Sequence, residues 1–244
     1  MSVYERLRLA IEREDHAVLL TIVEGEPLGA RLLVVDGENP VGDAPSELAG
    51  LVEEARTGLV EHEGRKVFAE VFGPPPKLVV FGAVDVAESL CALAVRLGWR
   101  TVVADTRARL ATPERIPSAD ELVVGWPDEA LAKVGVDADS AVVILTHDEK
   151  LDTPALVAAL RSPAFYVGAL GSRRAQAARR ERLLEVGLGE DELARLSGPC
   201  GLDLGASTAA ETALSILAEA VAFRAGREGG RLAESSGRIH AEAP

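Results

Sequence analysis

From residue 77 onward the sequence alternates between two periods, and this constrains the fold more than any other feature of the chain. Short apolar runs at 78–81, 101–104, 122–124, 141–145 and 164–167 are too brief for helices. Helical spacing appears over 85–97, 154–160, 172–186 and 208–224. A strand buried on both faces reads as a continuous apolar run, and parallel strands are usually joined through a helix. The pattern therefore predicts an α/β fold, a Rossmann-like doubly wound parallel sheet.

Residues 1–72 predict a smaller N-terminal α/β domain. Strands are expected at 18–23 and 31–35 around a turn at Gly25-Glu26-Pro27-Leu28-Gly29, with another at 67–72. A helix is expected over 46–60, because Leu48, Leu51, Val52, Ala55 and Leu59 share one helical face. Gly73-Pro74-Pro75-Pro76 forms a linker at 73–76, since consecutive prolines exclude both helix and central strand. The larger domain then spans 77–225. Residues 226–244, with Gly229-Gly230 and Ser235-Ser236-Gly237, lack core periodicity and predict a loose tail.

Composition narrows the partners. The chain is 48% hydrophobic but only 4% aromatic, so its core is aliphatic. A net charge of −13 argues against nucleic acid or an anionic membrane surface as a partner. No apolar run approaches the length of a membrane span. Two cysteines without a signal peptide fit a cytoplasmic protein, and Cys91 fits a core position. Asn39 and Gln176 are the only side-chain amides.

The run 78–81 leads into Gly82-Ala83-Val84-Asp85-Val86-Ala87, where a dinucleotide fingerprint would place G-x-G-x-x-G. Gly82 suits the tight turn and Ala87 suits close packing. Val84, however, replaces the glycine over which a pyrophosphate passes. Asp105 ends the second strand, where a ribose-binding acid is expected, and Arg107 offers a phosphate contact instead. The plain alternative is a doubly wound sheet with an unused turn.

His147 and Asp148 follow the fourth run. In a Rossmann order the first and fourth strands are neighbours at the switch point, so His147 is expected beside Gly82 and Asp85. The alternative is a turn histidine with one hydrogen bond. Thr153 and Pro154 read as the cap and first residue of the next helix.

Two turns follow. Phe165-Tyr166-Val167-Gly168-Ala169-Leu170-Gly171-Ser172-Arg173-Arg174 runs from a strand through glycines into an arginine-rich helix. Gly198-Pro199-Cys200-Gly201-Leu202-Asp203-Leu204-Gly205-Ala206-Ser207-Thr208-Ala209-Ala210-Glu211 also ends at a helix, with Thr208 and Glu211 at capping-box spacing. Helix N-termini favour anions, so both turns are candidates to hold one. Arg173 and Arg174 suit a phosphate or pyrophosphate, whereas Arg179, Arg180 and Arg182 read as a solvated face. Gly201 and Gly205 suit unusual backbone angles. Asp203 reads as a turn acceptor or a ligand contact, and Cys200 lacks a paired base.

These turns, with Leu145-Thr146-His147-Asp148-Glu149-Lys150-Leu151-Asp152, resemble the C-terminal part of the xanthine dehydrogenase accessory protein family (XdhC/CoxI type), from about residue 77 to 224. The resemblance implies an accessory or chaperone protein for molybdenum hydroxylases of the xanthine dehydrogenase or CO dehydrogenase type. Such a protein would bind molybdenum cofactor (molybdopterin) or its pterin pyrophosphate and assist its insertion. The contacts implied are Gly82, Ala83, Asp85, Asp105, Arg107, His147, Gly168, Gly171, Ser172, Arg173, Arg174, Gly201 and Asp203, with no catalytic residue and no metal ligand.

Two departures from the family pattern stand out. Gly82-Ala83-Val84-Asp85 replaces the usual Gly-Ala-Gly-His. Residues 36–46, where the family has Ser-Gly-Gly-Cys, hold no cysteine, although Leu28-Gly29-Ala30-Arg31 echoes the family's strand start. Two alternatives remain open: an NAD(P)-dependent oxidoreductase with Asp105 on ribose, and a docking or regulatory protein that has lost cofactor binding. Expected partners are a molybdenum hydroxylase apoenzyme and the pterin cofactor, and a homodimer is one assembly the chain could form.

Overall fold

The computed structural model describes residues 2–236 apart from 37, 53, 54 and 56. The chain divides into two compact units, Met1–Pro74 with Leu232–Pro244, and Pro75–Arg231. Of the expected tail at 226–244, residues 237–244 lie outside the described residues, as does Gly37 in the segment that lacks the family cysteine.

The smaller unit opens with helix α1 (Val3–Arg13), which starts at a capping box between Ser2 and Glu5. Strands β1 (Ala17–Glu24), β2 (Arg31–Val35), β3 (Val41–Gly42), β4 (Gly58–His62) and β5 (Arg65–Phe72) form one antiparallel sheet in the order β3-β2-β1-β5-β4. Period-two alternation sends Leu20, Ile22, Leu32 and Val67 to one face, and Leu19 and Leu33 to the other, where Leu7 and Ala10 of α1 join them.

The helix expected over 46–60 does not form. A 3-10 turn at Ser46–Leu51 buries Leu48, and β4 begins at Gly58. There Val60 is buried between exposed Leu59 and Glu61, and β4 pairs with β5 from Gly58↔Ala69 to His62↔Arg65. Tertiary pairing overrides a local helical pattern at this point. Residues 53, 54 and 56 of that span lie outside the described residues.

The larger unit alternates β6 (Lys77–Phe81), α2 (Asp85–Arg96), β7 (Arg100–Asp105), β8 (Glu121–Val124), α3 (Pro127–Val134), β9 (Ser140–Ile144), α4 (Glu149–Arg161), β10 (Tyr166–Ala169), α5 (Arg173–Glu185), α6 (Glu190–Ala194), β11 (Leu196–Ser197) and α7 (Ala209–Arg224). All strand pairs are parallel, in the order β11-β10-β9-β6-β7-β8. This is the Rossmann order, with the first strand, β6, between the second and the fourth. Leu78 and Val80 of β6 pack towards α2 and α7. Val79 and Phe81 pack towards α3 and α4. Helices therefore cover both faces, as the doubly wound pattern predicts.

Local corrections follow from better caps and pairings. Helix α4 starts five residues ahead of Pro154, capped by Asp148, whose Oδ1 accepts the Lys150 N–H at 3.0 Å. Thr153 is not the cap, and Pro154 lies inside the helix. An Asp cap and a buried stripe of Asp152, Ala155, Leu156 and Ala159 outweigh the one hydrogen bond a proline forfeits. The fifth strand of this sheet lies at Tyr166–Ala169 rather than 164–167, in register with Ala141–Ile144. No helix among the described residues is long and apolar enough to cross a membrane.

Candidate functional site

Parallel strands deliver their outgoing loops to a single edge. Backbone bonds stitch those exits together: Gly82 N–H to Ala104 O at 2.8 Å, Leu145 N–H to Phe81 O at 2.9 Å, and Leu170 N–H to Ile144 O at 2.9 Å. Cys200 N–H donates to Ala169 O at 3.1 Å, which brings the second turn to the same edge. The switch point lies between β6 and β9. Gly82 has φ of +115°, and a Cβ there would stand 3.3 Å from Leu145 Cβ, so the glycine serves both the turn and the close approach of two loops.

Around this point the sequence expectations separate. Asp105 is fully engaged by its own chain. Its Oδ1 accepts from the Arg107 N–H at 2.8 Å and Nε at 2.9 Å. Its Oδ2 accepts from the Ala83 N–H at 2.8 Å and Arg107 Nη2 at 2.9 Å. Burial by itself would raise this carboxyl, but the bonds from Arg107 and Ala83 outweigh burial and hold it below the usual carboxylate range. Asp105 and the Ala83 N–H thus close a turn, and the Asp105 carboxylate has no acceptor position left for a ribose. Gly168 also needs a correction. It is buried within β10, and a Cβ there would meet Tyr166 Oη at 2.6 Å, so the glycine makes room for that ring.

Asp85 stands exposed at the start of α2, 3.7 Å from Arg115. His147 is exposed on the β9–α4 loop. Ser172 caps α5, accepting the Ala175 N–H at 3.2 Å. Arg173 and Arg174 are exposed, and no acceptor among the described residues takes their backbone N–H groups. The first turn of α5 holds no acid. This end of the edge is therefore cationic twice over, from the guanidinium groups and from the helix terminus.

Arg179 does not lie on a solvated face. It is 3% exposed and grips the equally buried Asp152 in a fork, Nε to Oδ2 at 2.7 Å and Nη2 to Oδ1 at 2.8 Å. The sequence signal for this pair was an acid placed on the apolar stripe of α4. Arg180 does reach an acid at the surface, Glu190. Arg182 departs from the expected solvated face: it is only partly exposed, pairs with Glu149, lies 3.5 Å from Asp152, and its buried Nε meets no acceptor among the described residues.

The second turn is arranged differently. Gly201 N–H donates to Glu219 Oε2 at 2.7 Å, which also accepts from Tyr166 Oη at 2.5 Å. Asp203 is exposed. Glu211 folds back onto the Ser207 and Thr208 N–H groups at 2.8 and 2.9 Å, which sets a carboxylate of the chain's own at the α7 terminus. The Ala209 and Ala210 N–H groups, like those of Arg173 and Arg174, meet no acceptor among the described residues. The two turns therefore differ in charge rather than in free amides: the first is cationic and free of acid, and the second carries Glu211, which disfavours an external anion. Cys200 is buried against the core, and burial pushes its thiol, like that of Cys91, up to about 12. Sequence reading passed over Trp126. It is 55% exposed at the exit of β8, where the Gly125 N–H donates to Asp105 O at 3.3 Å.

A model of the XdhC Rossmann domain matches residues 78–220. The chain belongs to the XdhC family. Among its relatives, the molybdenum cofactor insertion chaperone PaoD of Escherichia coli K12 is 30% identical over 207 residues, 83% of this chain and 57% of that protein. A Bacillus subtilis 168 protein named as a probable xanthine dehydrogenase subunit is 30% identical over 158 residues, 65% of this chain and 46% of that protein. The XdhC-family chain thus spans about half the length of these curated relatives. A solved xanthine dehydrogenase from Bacillus halodurans superposes with a TM-score of 0.70 at 25% identity, covering 91% of this chain and 66% of that one.

Proposed function

We propose that this XdhC-family chain is an accessory protein of molybdenum hydroxylases. It takes molybdenum cofactor as cargo, holds it by its pterin pyrophosphate, and passes it to an apoenzyme. The names of these relatives supply the cargo class. The observation that carries the reading is the acid-free start of α5, where the N–H groups of Arg173 and Arg174 meet no acceptor among the described residues and their guanidinium groups add positive charge beside the switch point. A bidentate guanidinium and helix N–H groups fit a phosphate oxygen.

The soft end of the cargo finds no such fit. Both thiols are buried and stay protonated at neutral pH, and a thiol binds metal as its thiolate. The protein therefore grips the hard anion and leaves the metal end free for transfer. Against the nicotinamide alternative stand Val84 in the phosphate turn and an Asp105 with no acceptor left for ribose.

The test is calorimetric titration with inorganic pyrophosphate and with a molybdopterin ligand. Arg173→Ala with Arg174→Ala should cost about 1.5–3 kcal/mol for each charge-assisted bond lost. Cys200→Ser should leave the affinity unchanged. A wild-type protein that ignores pyrophosphate would reduce the reading to docking alone. Sustained NAD(P)H turnover would make the protein an oxidoreductase.

A further inference from the structure

We propose that Asp152, Arg179 and Gln176 form a positioning device that fixes the anion-holding turn. This inference rests on the pyrophosphate reading and names the residues that set its geometry without touching the ligand. The buried Arg179 does more than neutralise Asp152. Its Nη1 donates to Gln176 Oε1 at 2.6 Å, and its Nη2 also reaches Leu170 O at 3.2 Å. Gln176 in turn donates from Nε2 to Ala169 O at 3.1 Å. Two carbonyls at the exit of β10 are thus tied to the first two turns of α5.

Arg173 and Arg174 have no such ties among the described residues, so their direction depends on where α5 begins. Gln176 is the chain's only glutamine. Its side chain lies so close to Gly198 that a Cβ there would meet Oε1 at 2.6 Å. It also lies against Gly171, where a Cβ would meet Nε2 at 3.3 Å. One amide therefore sits between the two glycine turns, and one guanidinium holds that amide. Arg182 approaches Asp152 from the surface side at 3.5 Å and is paired mainly with Glu149.

A planar fork is needed here, because a lysine ammonium cannot serve two carboxylate oxygens, an amide oxygen and a carbonyl in those directions. An ion pair kept only for stability would be replaceable by apolar residues, since buried pairs are often no better than well-packed hydrophobic ones. That contrast provides the test.

Asp152→Leu with Arg179→Met removes both charges together, and Arg179→Lys keeps the charge while losing the fork. Three quantities are measured on each: the melting temperature, the affinity for inorganic pyrophosphate, and hydrogen exchange at the Ala175 and Gln176 amides without ligand. Both variants should melt within a few degrees of wild type. They should bind pyrophosphate roughly ten- to a hundredfold more weakly, as expected when a binding group is misplaced. Their two amides should exchange faster. Rescue of melting together with wild-type affinity and exchange would overturn the proposal. If one variant fails to fold, the other decides by the same readouts. Should wild type itself ignore pyrophosphate, the cargo reading falls, and the exchange measurement alone then decides whether the device exists.

Discussion

Helices α5 and α7 both leave a glycine-bearing turn at the same edge of the sheet, and both begin with a hydroxyl cap, Ser172 in one and Thr208 in the other. At α7 the capping box is complete, and Glu211 lies over the Ser207 and Thr208 N–H groups. At α5 the residue in the equivalent position is Ala175, and the next, Gln176, turns its side chain away to Ala169 O and Arg179. The helix dipole favours an anion at either terminus. One helix carries that anion in its own sequence. The other carries cations there and leaves the place open. The first two amides of both helices meet no acceptor among the described residues, so the proposed ligand site at α5 is set apart by its missing acid and its arginines, while the nearest polar side chain of α5 is engaged in anchoring.

The anchor is where the comparison breaks most easily. Asp152→Ala leaves the Arg179 guanidinium buried without its carboxylate, which should cost about 3–5 kcal/mol in urea unfolding. The difference from the double apolar variant is the point: one partner removed strands a charge, both removed do not. A loss below about 1 kcal/mol, the range of exposed pairs, would mean that α5 is held by its apolar contacts alone.

The sheet was legible in the sequence because its central strands β6, β9 and β10 are buried on both faces and therefore apolar, whereas the edge strand β11, half-buried and only Leu196–Ser197, left no such signal. The alternation with helices gave the parallel, doubly covered class, while the strand order is seen only in the pairing. The errors were local. Thr153-Pro154 looks like a helix start, yet Asp148 caps earlier. The apolar set from Leu48 to Leu59 fits a helix face, yet β5 claims residues 58–62 as a partner. The candidate site was half legible. Glycines, arginines and caps are marked by residue type, so Gly82, Gly171, Ser172, Arg173 and Arg174 could be picked out. Which partners a side chain's hydrogen bonds reach is set by residues far away in sequence. Asp105 therefore could not be distinguished from a ribose acceptor, nor Arg179 from its exposed neighbours.

The α7 side of the comparison is sharpened by pH. Bonds from Ser207 and Thr208 lower the Glu211 carboxyl to about 2. A carboxylate lowered on folding adds stability that is fully present above its ordinary value of 4.5 and is lost as pH falls through about 2. Glu211→Gln should therefore lower the melting temperature at neutral pH, by less than Asp152→Ala, and the gap to wild type should close as pH approaches 2. A gap that stays constant with pH would show that the Glu211 charge contributes nothing, and the contrast between the two helix starts would then rest on the arginines of α5 alone.

Arg180 gives the smallest effect and the closest control, since it follows Arg179 directly on the same helix. Its guanidinium meets Glu190, with the two side chains 51% and 69% exposed. Water screens such a pair, and ordering two long side chains offsets much of the attraction, so Arg180→Ala should cost no more than about 1 kcal/mol. Whatever it costs should shrink further in high salt, because exposed charges are screened over a few ångströms at molar ionic strength. Pyrophosphate affinity should be unchanged, since Arg180 points to α6 rather than to the turn. A loss of affinity equal to that from Arg173→Ala with Arg174→Ala would show that the ligand responds to the overall positive charge of α5. In that event the open helix start would lose its special standing, and the contrast with α7 would reduce to net charge.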